Sequence, residues 1–102
     1  MQVKNQNNEE FAKTITQESI QLIDVRTIEE YSELHIPGSK NIDVTNHLFA
    51  SRVEELDKTK PVAVYCRSGQ RSSMAAEYLA SKGFEVYNLS TGMMFWNGAR
   101  TR

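Results

Sequence analysis

The sequence predicts an α/β domain built on a largely parallel sheet. Three observations carry that prediction. Short apolar runs alternate along the chain with segments of helical period. Capping and breaking residues separate them where helix ends are needed. The strongest apolar run, Val62 to Tyr65, reads as a central strand that is apolar on both faces. The chain has 102 residues, so one domain spanning 1–102 is expected. A domain of that size buries roughly two thirds of its unfolded-chain surface, enough for a core without disulfides or metals. Hydrophobic residues make up 39%, charged residues 25%, and the net charge is −1, so no basic excess points to nucleic acid or an anionic membrane.

In chain order, Gln2 to Lys4 is expected as a short edge strand. Asn8 reads as the N-cap of a helix carrying Phe11, Ala12 and Ile15 on one face. Ile20 to Val25 is a strand of the buried type. Thr27 with Glu30 three residues on is a capping box, and the helix it opens ends at His35–Gly38, where Ile36 precedes Pro37 and Gly38 can turn. Lys40 to Val44 is a short strand. Residues 45–56 place Phe49, Val53 and Leu56 on one helical face, with Arg52, Glu54, Glu55 and Lys58 on a solvated one. Pro61 can open the Val62–Tyr65 strand because the first residue need not donate to the ladder. A helix over 72–82 pairs Met74 with Tyr78 and Ala75 with Leu79, and Gly83 ends it. Phe84 to Leu89 is a further strand. Residues 91–99 turn into a short closing helix, with Met93, Met94, Phe95 and Trp96 expected in the core.

Cys66 is the only cysteine, which excludes an internal disulfide, a paired-cysteine redox motif and a multi-cysteine zinc site. His35 and His47 lack metal-ligand spacing, and His35 is expected to be a hydrogen-bonding turn residue; no metal or cofactor is expected. The N-terminal stretch has no apolar core of the signal-peptide type, and no run reaches the ~18 apolar residues of a membrane helix. A reducing, cytoplasmic setting is therefore expected, with no membrane or nucleic-acid partner.

The thiol stands where a strand ends and a helix is about to begin, the edge of a parallel sheet at which ligands bind. The N-terminus of that helix points unpaired N–H groups at the loop. Ser68 and Gly69 allow the backbone to curl into an anion-holding nest, and Arg67 and Arg71 add positive charge. Such surroundings favour a thiolate: a free cysteine has a pKa near about 8.5, brought down to roughly 3.5–7.5 in sites of this kind. A lone cysteine after an apolar strand is also how an inert buried thiol reads. Two arginines within five residues of the sulfur argue against purely apolar burial, and the reactive reading requires a side chain that is not packed away from solvent.

Taken together, "LIDVRTIEEY" (22–31), "HIPGS" (35–39), "NIDV" (41–44), "VYCRSGQRS" (64–72), "AAEYLASKGF" (75–84) and "LSTGMMFW" (89–96) resemble a rhodanese-homology domain over residues 8–98. The resemblance implies a three-layer α/β fold with a five-stranded, mainly parallel sheet and helices on both faces. It implies that Cys66 accepts sulfur and that residues 66–71 form the active-site loop. Asp24 and Arg26 would brace that loop, with Glu30 a candidate partner. Leu34, Ser39 and Thr91 stand where the family usually has glycine, alanine and glycine.

The expected chemistry is attack of the Cys66 thiolate on a donor such as thiosulfate, leaving a persulfide that cyanide or a cellular thiol removes. Arg67 and Arg71 would attract the donor, while Ser68, Gly69, Gln70 and Ser72 would line the sulfur site, with the two serines as candidate hydrogen-bond donors to the persulfide. Two alternatives share the fold: a persulfide carrier or binding module serving a sulfur-relay protein, and a phosphatase or arsenate reductase. The latter use five residues between cysteine and arginine, whereas four separate Cys66 from Arg71.

Overall fold

A computed structural model of the chain describes residues 3–102. Gln2, at the start of the expected first strand, lies outside the described residues. The strands are Val3–Gln6 (β1), Gln21–Asp24 (β2), Lys40–Asn41 (β3), Val62–Tyr65 (β4) and Val86–Leu89 (β5). They alternate with helices Asn8–Thr14 (α1), Ile28–Glu33 (α2), Phe49–Val53 (α3) and Gln70–Ser81 (α4), and a 3-10 turn, Met93–Phe95, follows β5. One five-stranded sheet has the order β1-β5-β4-β2-β3, and every pairing is parallel. The chain steps outward from β2 to β3 on one side and from β4 to β5 on the other. The carboxyl ends of β2 and β4 therefore flank the point where direction reverses, where open parallel sheets form a crevice.

Alternation along the strands divides the core between the two faces of the sheet. Ile23, Val62, Val64, Cys66 and Val86 pack with Ala75, Ala76 and Leu79 of α4 and Val53 of α3. Leu22, Ala63, Tyr65 and Leu89 pack on the other face with Phe11 of α1, Met93 and Trp96. Phe11 and Trp96 meet edge to face, with centroids 5.9 Å apart. β4 is buried at all four residues, as a central strand covered on both faces must be.

Several expected boundaries move, each for a local reason. Asn7, not Asn8, caps α1: its side chain accepts from the Glu10 N–H at 2.9 Å and Glu10 Oε1 accepts from the Asn7 N–H at 2.9 Å. Asn8 instead donates to the Phe95 carbonyl at 2.6 Å. The expected strand 40–44 pairs only over Lys40–Asn41, because Asp43 captures the Thr45 N–H at 2.8 Å and turns the chain. Asn46 does the same to the Leu48 N–H at 2.8 Å, so α3 starts at Phe49 rather than 45; Val53 is buried and Phe49 and Leu56 pack beside it, the face that was expected. α4 begins two residues earlier than expected, at Gln70; Ala75 and Leu79 are buried, whereas Met74 is 68% exposed. Met93 and Trp96 enter the core as expected, but Met94 and Phe95 are exposed. Among the described residues, no helix is long and apolar enough to cross a membrane.

α2 buries none of its six residues, so packing does not hold it. Its capping box does part of that work: Thr27 Oγ1 accepts from the Glu30 N–H at 3.3 Å and Glu30 Oε1 accepts from the Thr27 N–H at 3.1 Å. Thr27→Ala is expected to cost about 1 kcal/mol, read as a lower urea midpoint with an unchanged m-value.

Candidate active site

Cys66 is the first residue past β4, and the chain needs only Cys66–Gly69 to turn into α4. Gly69 makes that turn possible. Its φ is +98°, and a Cβ there would lie 2.2 Å from the Ser90 carbonyl oxygen. With Gly69 in this conformation, its N–H donates to Cys66 Sγ at 3.0 Å and the Ser72 N–H donates to the same sulfur at 3.3 Å. Both belong to the unpaired amides at the start of α4, on the positive end of the helix dipole.

The sulfur is not open to solvent. Cys66 is 0% exposed, and it belongs to the same apolar cluster as Val64, Ala75 and Ala76. The condition that the reactive reading set, a thiol not packed away from solvent, is not met in this conformation: Cys66 continues the inward alternation of Val62 and Val64, so the strand points it beneath the loop. An inert apolar thiol is not what results either, since two amides converge on the sulfur. The Ser72 hydroxyl donates to the Gly69 carbonyl at 3.3 Å, so it is the backbone N–H of Ser72, not its side chain, that faces the sulfur. Ser68 and Gln70 are exposed.

The turn after β5 straps the loop from the other side. The Met93 N–H donates to the Cys66 carbonyl at 2.7 Å and the Met94 N–H to the Arg67 carbonyl at 2.9 Å. Gly92 permits this approach: a Cβ there would stand 2.2 Å from the Arg67 carbonyl oxygen. Nothing in the apolar pattern of residues 91–96 announced that their backbone would hold the active loop; the glycine beside "LST" was the only signal.

The two arginines behave differently. Arg71 forms a two-pronged pair with Glu30, Nη1 to Oε1 at 2.7 Å and Nη2 to Oε2 at 2.9 Å. The Arg71 hydrogen bonds hold the Glu30 carboxyl well down, to about 2, with the Thr27 N–H assisting. Arg67 is exposed, makes no ion pair among the described residues, and lines an open cleft of about 370 Å³ together with Arg100, Glu33, Leu34 and Met94. That lining includes Arg67 but not Cys66.

Asp24 and Arg26 pair with each other, Arg26 Nη2 lying 2.7 Å from Asp24 Oδ2, and Arg26 also donates to the Leu34 carbonyl at 2.6 Å. Their side chains make no hydrogen bond to residues 66–72. The bracing is therefore indirect: they shape the β2–α2 turn, and α2 carries Glu30 to Arg71. This reassigns Glu30, expected beside Arg26, to the loop itself. The departures at 34 and 39 fit locally. Leu34 is extended, at φ −158°, and needs no glycine. Ser39 Oγ donates to the Ile36 carbonyl at 2.7 Å and meets the Tyr65 hydroxyl at 3.1 Å, tying this segment to β4. His35 is a hydrogen-bonding residue as expected, its Nδ1 donating to the Tyr31 carbonyl at 2.8 Å, but it stands in an isolated antiparallel bridge to Thr101 rather than in a turn, because its N–H and C=O both pair with Thr101.

The Glu30–Arg71 pair makes a pH prediction. A carboxyl at about 2 in the fold and near the ordinary 4.5 in the unfolded chain stabilises the fold above about pH 4.5 and loses that stabilisation as pH falls toward 2. Glu30→Gln is expected to lose about 1–2 kcal/mol at neutral pH, once solvent screening of a part-exposed pair is allowed for, and to flatten the acid limb of stability against pH. Urea midpoints from pH 2 to 7 provide the measurement; parallel curves for the two proteins would reject the assignment.

The chain matches the model of the Rhodanese-like domain family over residues 7–99. Thiosulfate sulfurtransferase GlpE of Pseudomonas syringae pv. syringae is 36% identical over 88 residues, which cover 85% of this chain and 81% of that protein. A Bacillus subtilis protein named "Putative sulfur carrier protein YrkF" is 39% identical over 87 residues, 84% of this chain but only 46% of that longer protein. The crystal structure of a rhodanese-related protein from Thermoplasma volcanium superposes with a TM-score of 0.85 at 24% identity, covering 96% of this chain and 97% of that one. With its strand order, its glycine-turned cysteine loop and a family match across nearly its whole length, the chain belongs to the rhodanese-like domain family.

Proposed function

We propose that the chain is a sulfurtransferase that moves a sulfane sulfur from a donor such as thiosulfate to a thiophilic acceptor through a persulfide on Cys66. The observation that carries this reading is the convergence of the Gly69 and Ser72 N–H groups on Cys66 Sγ at the start of α4. That arrangement favours negative charge on the cysteine sulfur and equally on a terminal sulfur attached to it. The name of the Pseudomonas syringae relative supports the substrate class.

The thiolate of Cys66 attacks the outer sulfur of thiosulfate. A new S–S bond forms, the donor S–S bond breaks, and its electron pair leaves with sulfite. Charge balances: one thiolate and a dianion become one persulfide anion and a dianion. The acceptor, cyanide or a cellular thiolate, then attacks the terminal sulfur, and the electron pair of the broken bond returns to Cys66. No general base is required by either step. Because Sγ is covered in this conformation, the exposed Arg67–Ser68 stretch must swing aside for the donor to enter. Arg67 draws in the anion and steadies the departing sulfite; Arg71, neutralised by Glu30, orders the loop. A reducing, cytoplasmic setting would keep the lone thiol free.

A second reading keeps the persulfide but makes a protein the acceptor or donor. Met94 and Phe95, 52% and 65% exposed beside the strap on the loop, favour it as apolar contact points. Fast transfer from a cysteine desulfurase with slow thiosulfate turnover would select this carrier role. A phosphatase role is disfavoured, because four residues between Cys66 and Arg71 and an amide 3.0 Å from the sulfur leave a loop too tight for a tetrahedral oxyanion; turnover of p-nitrophenyl phosphate would reverse that ranking.

Incubation with thiosulfate is expected to add one sulfur atom to the intact mass of the wild type and nothing to Cys66→Ser. An unchanged wild-type mass rejects the proposal. Arg67→Ala is expected to raise the thiosulfate concentration for half-maximal loading about tenfold, as for loss of one charged hydrogen bond, with an unchanged urea midpoint.

A further inference from the structure

β5 carries a buried primary amide that the sulfur chemistry described so far does not use. Asn88 is 0% exposed, between Val86 and Leu89 of the core. An amide placed there costs free energy unless its groups are paired. Its nitrogen donates to Asn5 Oδ1 at 3.0 Å and to Ser73 Oγ at 3.3 Å. Its oxygen has no partner among the described residues. Ser73, in the first turn of α4, passes the connection on: its hydroxyl donates to the Gly69 carbonyl at 2.8 Å, beside its own N–H at 3.0 Å. Gly69 is the residue whose N–H holds the sulfur.

The direction of these bonds is constrained. Ser73 has one hydroxyl proton. If that proton goes to Gly69, the oxygen can only accept from Asn88, so the amide must present its nitrogen side. The opposite orientation would give the Ser73 proton to the Asn88 carbonyl and take it from Gly69. The orphaned carbonyl is thus the counterpart of a Gly69 residue held on both sides of its α-carbon, its N–H on the sulfur and its C=O by Ser73.

We propose that Asn88 and Ser73 are positioning residues: by anchoring the Gly69 carbonyl they fix ψ at Gly69, the residue whose N–H, on the other side of its α-carbon, stabilises charge on the Cys66 sulfur, at the expense of one unsatisfied buried oxygen. Their role in sulfur transfer rests on the function proposed above; their role in orienting Gly69 does not. Asn88 is buried and Ser73 is exposed on the surface of α4, and neither lines the cleft that holds Arg67.

The test uses the full chain labelled with 15N, with amide hydrogen exchange at Gly69 and at Val64 of β4 as a reporter of global opening, and with the rate of sulfur loading from thiosulfate. Ser73→Ala is expected to speed Gly69 exchange and slow loading, each about tenfold, as for loss of one hydrogen bond, while Val64 exchange holds. Ser73→Thr keeps the hydroxyl and restores both. Asn88→Leu is expected to reproduce the Gly69 and loading effects with a melting temperature equal to or above wild type, because it removes the orphaned carbonyl and leaves Asn5 to solvent. Unchanged Gly69 exchange in both variants overturns the proposal. So do Gly69 changes that merely track Val64, and a shifted Gly69 amide with unaffected loading. Failure of the wild type to load sulfur at all would defeat the functional reading instead, and the exchange data would still decide whether the relay orients Gly69.

Discussion

The cysteine loop depends on one backbone event: the chain leaves β4 and enters α4 through a left-handed glycine. A side chain at position 69 would collide with the Ser90 carbonyl, so the turn is available to glycine alone. The turn sets the first amides of α4 over the sulfur at the end of the strand, and from that follow the hydrogen bonds at 3.0 and 3.3 Å. A looser turn would separate the helix dipole from the thiol and leave a buried sulfur with no stabilisation for charge.

Around that turn the fold supplies supports from three directions. The segment after β5 binds the Cys66 and Arg67 carbonyls through the Met93 and Met94 amides. α2, which buries nothing, carries Glu30 to Arg71 and is itself shaped by the Asp24–Arg26 pair. The central amide of β5 reaches Gly69 through Ser73. These supports decide the division of labour between two arginines that look equivalent in the sequence. Arg71 is held by a carboxylate and orders the loop, whereas Arg67 stays exposed at the cleft, where an incoming anion can meet it.

Burial of the sulfur serves the same end. Charge stabilisation by amides weakens in water and strengthens where water is excluded. A thiol placed under the loop keeps its two donors aligned without competition, and it is shielded from adventitious oxidants.

Much of this was legible in the sequence. Alternating strand and helix patterns gave the layers, the β4 run identified the central strand, and the Thr27–Glu30 spacing gave the cap of α2. The cysteine, the glycine and the arginines marked the loop at which two amides meet the sulfur, because they lie within six consecutive residues and short-range geometry follows from local composition. The cap of α1 and the start of α3 were misplaced because which Asn or Asp captures which amide is settled by the local turn, not by hydrophobic period, and the start of α4 because the left-handed Gly69, without a side-chain cap, opens that helix. Sequence alone determined the fold class and the place of the cysteine loop at the end of β4, since periodicity and loop residues are properties of neighbours along the chain. Only the tertiary structure decided that Glu30 belongs to Arg71, that Met93, Met94 and Asn88 hold the loop, and that Cys66 lies beneath it, because each of those facts depends on which strand lies beside which in the sheet and on where their ends converge.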